Sequence, residues 1–164
     1  MVDILMMKTL SVLAIASITI SLMLLGTTDS FAKPESKNFV APLAGNQEFP
    51  PVDTKATGLA KFQINKDGDA INYKLIVANI ENVVAAHIHV GAKGTNGGVL
   101  VPLFSGLEAK PNGILAEGTI TSDDTDIGAL IEAMRSGDTY VNVHTLENRP
   151  GEIRGQIAEA GPSK

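Results

Sequence analysis

The chain has 164 residues, a net charge of −5, sixteen glycines, eight prolines, three histidines and neither cysteine nor tryptophan. That length suits one domain with a real core, and so many turn formers point to β-rich structure resting on Val, Ile, Leu and Ala. Lacking cysteine, the chain has no disulfide framework, thiolate metal ligand, cysteine nucleophile or redox dithiol, and lacking a basic tract it offers nucleic acid no footprint.

Residues 10–25 form an almost uncharged apolar run behind Lys8, ending towards Ser30-Phe31-Ala32 with small residues at the −3 and −1 positions. This is the layout of a secretory signal peptide over residues 1–32, cleaved after Ala32. The alternative is an uncleaved anchor, for which 16 residues with several Ser and Thr are short of the roughly 20 a span needs. Cleavage leaves no membrane span and places the protein in a secreted or cell-surface, extracytoplasmic compartment. Residues 33–38 read as a flexible mature N-terminus and 39–159 as the folded domain.

Within that domain, residues 39–45 read as the first strand, followed by Asn46-Gln47-Glu48-Phe49-Pro50-Pro51-Val52-Asp53, whose paired prolines suggest an ordered loop. Residues 57–65 and 71–78 alternate with period two on either side of Lys66-Asp67-Gly68-Asp69, a strong hairpin signal. That acidic turn lacks the further ligands and terminal Glu of a calcium loop. Residues 83–90 form the next strand, Ala85-Ala86-His87-Ile88-His89-Val90 at its heart. The Gly-rich stretch 91–98 has neither Gly-Lys-Ser/Thr nor a following helix, so it is a loop and no phosphate cradle.

Residues 99–104 and 113–121 are further strands. Ser122-Asp123-Asp124-Thr125-Asp126 then opens the one helix, expected over about 123–136, with Ile127, Leu130, Ile131 and Met134 as its apolar stripe and Gly137 ending it. Strands 139–145 and 152–158 close the chain. The expected fold is all-β: an antiparallel Greek-key-like β-sandwich of about eight strands with one short helix.

Side chains alternate across a strand, so His87 and His89 share a face. With Val84, Ala86, Ile88 and Val90 as the natural core side, both histidines point away from the core. The same logic turns Val141 and Val143 inward and Tyr140, Asn142 and His144 outward. In the last strand it turns Ile153, Gly155 and Ile157 in, and Glu152, Arg154 and Gln156 out. His144 is expected opposite Glu152 or Arg154. If the strand of His87 neighbours this hairpin, His87, His89 and His144 converge as ligands for copper or zinc, with Glu152, Arg154 and Asn142 orienting them. Two other readings stay open: a structural polar cluster, or a recognition surface for a protein or glycan.

The chain resembles the CHRD domain, the module named after chordin that also occurs singly in exported microbial proteins. The likeness runs through Leu43-Ala44-Gly45-Asn46-Gln47-Glu48-Phe49-Pro50-Pro51-Val52, Ala56-Thr57-Gly58-Leu59-Ala60 and Ala85-Ala86-His87-Ile88-His89-Val90-Gly91. It continues in Asn96-Gly97-Gly98-Val99, Tyr140-Val141-Asn142-Val143-His144-Thr145 and Gly151-Glu152-Ile153-Arg154-Gly155-Gln156-Ile157. The resemblance implies a secreted β-rich domain that works by binding a protein or surface-matrix partner more than by catalysis. A weaker likeness joins the His87-Ile88-His89 and Val143-His144 strands to Cu,Zn superoxide dismutases. It implies, as the alternative, a copper-dependent redox enzyme with Arg154 in the place of that family's active-site arginine, although three histidines are too few for the dismutase set. No Gly-x-Ser-x-Gly elbow or carboxylate pair marks a catalytic centre.

Overall fold

Period-two alternation builds nearly the whole domain. The computed structural model describes residues 35–161, so the expected signal peptide and its cleavage after Ala32 lie outside the described residues. Nine strands follow in order: β1 Asn38–Ala44, β2 Thr57–Ile64, β3 Ile71–Ala78, β4 Val83–Val90, β5 Val99–Glu108, β6 Gly113–Ile120, β7 Thr139–Thr145, β8 Ile153–Gln156 and β9 Ala158–Glu159. Among the described residues one α-helix, α1 (Ile127–Ser136), lies between β6 and β7, and a single 3-10 turn, Gly45–Gln47, follows β1. Every pairing is antiparallel, and the strands form one ladder in the order β5-β4-β7-β8-β1-β2-β3-β6, with β9 added beside β1. The terminal strands β5 and β6 approach each other, so the sheet nearly closes into a barrel. The all-β antiparallel architecture with a single helix is as expected from the sequence.

The inward residues are those the alternation marks: Ala60, Phe62 and Ile64 of β2, Val141 and Val143 of β7, and Ile153 with Ile157 at the end of the chain. They merge with Ile127, Leu130, Ile131 and Met134 of α1 into a single apolar core. The four helix positions recur at i, i+3, i+4 and i+7, which lays them along one stripe.

Three local features depart from the sequence reading. α1 begins at Ile127, later than expected, because Asp126 is its cap: the Asp126 carboxylate accepts the Ala129 N–H at 3.0 Å. Asp124 turns back to accept from the Thr121 N–H at 2.9 Å, which stabilises a turn ahead of the helix. Gly137 closes the helix in the left-handed conformation, φ 78°, as its C-terminal signal predicts.

The second departure is in β4. Its register slips between Val83 and Ala85 against both neighbours, a β-bulge. The extra residue brings Val83 into the core beside Ala86 and Ile88, where strict alternation had placed Val84, and Val90 at the strand's end is exposed. Beyond the bulge the alternation resumes, so His87 and His89 keep the face away from the core.

The third concerns that face. The residues expected to face outward, Tyr140, Asn142, Glu152 and Arg154, do lie opposite the core, yet all four are buried, Arg154 at 1% exposure. Loops cover them. Residues 91–98 and the proline-braced segment after β1 fold over this part of the sheet and are tied to each other by Asn96 Nδ2 donating to Phe49 O at 2.8 Å. The sheet thus has a second, polar interior on its outer side.

Candidate metal centre

The two elements that carry the histidines are neighbours. β4 pairs with β7 so that His87 opposes Asn142, His89 opposes Tyr140, and Ala85 opposes His144. On the far side of β7, β8 places Arg154 opposite Asn142 and Gln156 opposite Tyr140. Arg154 therefore pairs with Asn142 and not with His144. Opposed residues in an antiparallel ladder share a face, so this register alone gathers the polar set.

The three imidazoles converge. Ring centres are 4.9 Å apart for His87 and His144, 5.6 Å for His87 and His89, and 5.9 Å for His89 and His144. One nitrogen from each lies within 4.8 Å of the others. Three nitrogens bound to one ion at ~2.0–2.1 Å sit about 3.3–3.6 Å apart, so an inward movement of each ring by no more than about 0.7 Å brings the set onto a common ion.

The hydrogen bonds around the rings define their protonation. His89 Nδ1 is 3.0 Å from Gly97 O, and His144 Nδ1 is 2.8 Å from Arg149 O. A carbonyl only accepts, so both Nδ1 atoms carry the proton and both Nε2 atoms carry the lone pair. His87 Nδ1 lies 3.0 Å from His144 Nε2 and must then be the donor of that pair. The His89 Nε2 lone pair is buried with no hydrogen-bond partner. A buried orphan of this kind calls for an explanation, and a bound cation is one.

The site also resists protonation. Burial, with His144 and His89 beside it, pulls His87 down to about 4. Burial holds His89 below its ordinary value against the pull of its Gly97 bond, and Arg154's charge adds to the lowering. Burial lowers His144 likewise, offset by its bond to Arg149 O. Neutral imidazole is the form a metal binds.

Around this centre the expected orienting residues divide. Arg154 lies over the Tyr140 ring, 3.3 Å from its centre, and His89 stacks on the same ring at 5.0 Å and 9°. The guanidinium also donates to Asn96 Oδ1 at 3.1 Å and Ala92 O at 3.3 Å, fastening the 91–98 loop. Asn142 donates to Glu48 Oε1 at 2.7 Å and shares the barrel face with His87. Glu152 accepts from Thr54 at 2.8 Å, Thr145 at 2.7 Å and Asn148 at 3.4 Å, so its bonds hold loops and not a histidine. Burial pushes Glu48 up to about 7, against the pull of Arg154.

Tyr140 and the Gly97 peptide are the site residues that sequence reasoning did not single out. Tyr140 Oη accepts the Gly97 N–H at 3.2 Å while Gly97 O holds His89, so the phenol and the imidazole grip one peptide from both ends. Only the β4–β7 register, which pairs His89 with Tyr140, exposes that role.

The family model for the CHRD domain matches residues 39–157. The chain belongs to the CHRD-domain family. No curated protein matches it. The CHRD match spans the sheet from β1 to β8 and includes all three histidines, Asn142, Glu152 and Arg154. The dismutase likeness gains no support: the only three histidines of the chain form a single cluster, leaving none for a second metal. Among the described residues no helix is long and apolar enough to cross a membrane.

Proposed function

We propose that this CHRD domain is an exported binding module that holds one copper or zinc ion through His87, His89 and His144. The observation that carries the reading is the buried, unpartnered Nε2 of His89 within a set of three imidazole nitrogens no more than 4.8 Å apart. Neutral nitrogen donors of this kind suit both metals, and the lowered protonation of the rings keeps them available. Arg154 acts on His89 through Tyr140, Asn142 holds Glu48 on the face opposite His87, and Glu152 acts through the loops it ties. Export is supported by the apolar run 10–25 and the small residues before position 33, and a protein or surface-matrix partner by the family resemblance. The proposed role is binding, with no reaction step assigned to the ion.

Elemental analysis of untagged protein tests this. After equilibration with copper or zinc and removal of free metal, about one ion per chain is expected, and His89→Ala is expected to drop retention at least tenfold. Equal stoichiometry in the two proteins would end the three-histidine reading.

A further inference from the structure

We propose that the ion this site is built to hold is monovalent copper, Cu(I), and that the buried guanidinium of Arg154 biases the site against divalent ions. This rests on the three-histidine reading above and adds the charge state of the ion.

The ligands themselves bring no negative charge. All three are imidazoles, and a divalent ion held by neutral ligands in a buried site keeps its full charge. The cost of removing an ion from water grows with the square of that charge, about fourfold from +1 to +2. Three imidazoles alone do hold divalent zinc in other proteins, so the discrimination has to come from the charges around the ligands. Thiolates do not exist here. Of the two buried carboxylates of this face, Glu152 is engaged with Thr54, Thr145 and Asn148, and Glu48 is bonded to Asn142 across from His87, where burial favours its uncharged form.

What stands beside the site is a cation. Arg154 is 1% exposed, and among the described residues its guanidinium donates to Asn96 and Ala92 and has no carboxylate within 4 Å, although its charge acts on Glu48 from farther away. It lies 3.3 Å over Tyr140, the ring on which His89 stacks at 5.0 Å, so its charge sits no more than about 8 Å from the His89 ring. β7 lies between β4 and β8, so the imidazole and the guanidinium reach Tyr140 from the strands on either side. Each unit of charge on the ion is repelled by this fixed positive group through a water-poor interior. The second unit on a divalent ion adds a penalty that a monovalent ion avoids. Among the metals that imidazole serves well, copper is the one with a stable monovalent state, and three donors satisfy it.

Cu(I) and Zn(II) have the same filled d shell, so comparing them isolates charge. Their affinities are measured anaerobically by competition against chromophoric chelators, bicinchoninate for Cu(I), on wild type, Arg154→Gln, Arg154→Lys and His89→Ala. Wild type is expected to prefer Cu(I) over Zn(II). Arg154→Gln is expected to narrow that preference about tenfold, and Arg154→Lys, which keeps the charge but not the forked hydrogen bonds, to retain most of it. Wild-type preference for Zn(II) overturns the proposal with no variant needed, and so does an equal shift in the Gln and Lys variants, which would mark Arg154 as a loop fastener alone. Binding of neither ion above the His89→Ala background overturns the metal site itself, an outcome distinct from a site that binds but prefers the divalent ion.

Discussion

Replacing Gly97 by alanine is expected to lower the melting temperature by about 10 °C and to weaken metal binding at least tenfold, while Gly98→Ala changes either little. A methyl group on Gly97 would stand 1.7 Å from the Val90 carbonyl oxygen and 2.8 Å from its carbon, backbone that has no room to retreat. At Gly98 nothing lies within 4 Å. The strain at 97 amounts to overpacking against main chain, about 3 kcal/mol. Its position makes the damage specific. The Gly97 N–H donates to Tyr140 and its carbonyl holds His89 Nδ1, so displacing this peptide frees the ring that carries the orphaned Nε2. Differential scanning calorimetry and metal titration of the two single variants check both parts. Similar behaviour of the two would mean that the loop does not position His89.

The contrast between those adjacent glycines shows where sequence reasoning reaches and where it stops. Alternation alone locates Ala86, Ile88, Val141 and Val143 in the core and sets the three histidines on the opposite face, because a strand's period is fixed by backbone geometry. Convergence of the histidines follows once β4 is known to lie beside β7, and pairing between strands 50 residues apart is not written in local periodicity. The bulge at Val83–Ala85 escapes for a related reason: an extra residue in one strand is defined only against its partner.

Burial of the polar face was the larger surprise. An Arg-containing alternation, Glu152, Arg154 and Gln156 against Ile153, Gly155 and Ile157, ordinarily describes one wet and one dry side. Here two loops supply a roof, and the 91–98 loop is fastened largely through main-chain carbonyls, Ala92 O for Arg154, Gly91 O for Gln156 and Gly97 O for His89. Backbone acceptors are the same at every residue, so no side-chain motif announces them. The short stretch Asn96-Gly97 was legible as a loop; that it closes over a histidine required the three-dimensional register.

Glu48→Gln is expected to stabilise the metal-free protein by about 1.5 kcal/mol at pH 8 and to leave it little changed at pH 5. Burial lifts the Glu48 carboxyl from the ordinary 4.5 to about 7, with Arg154 pulling the other way. The folded state thus binds this proton more tightly than the unfolded chain does. Its contribution is complete below about 4.5 and is lost as pH rises through about 7. The full shift corresponds to about 3 kcal/mol, which solvent access from the cleft beside Pro50 and Pro150 roughly halves. Glutamine keeps an amide oxygen for Asn142 Nδ2 and never ionises, so it removes the alkaline loss without breaking the 2.7 Å bond. The histidines act with the opposite sign. Their protonation is disfavoured on folding, so their contribution is complete above about 6.5 and is lost as pH falls towards 4, where His87 titrates. The two windows overlap from about pH 4.5 to 6.5, where in wild type the loss at Glu48 offsets the gain at the histidines, so Glu48→Gln should show the steeper rise in stability over that range. Melting temperatures from pH 4 to 9 decide the matter: curves that stay parallel between pH 4.5 and 7 would mean that Glu48 is ionised without penalty in the fold, whereas a gap that opens over that range and stays constant above it makes this carboxyl, held by Asn142 across from His87, a neutral neighbour of the imidazole cluster below neutrality.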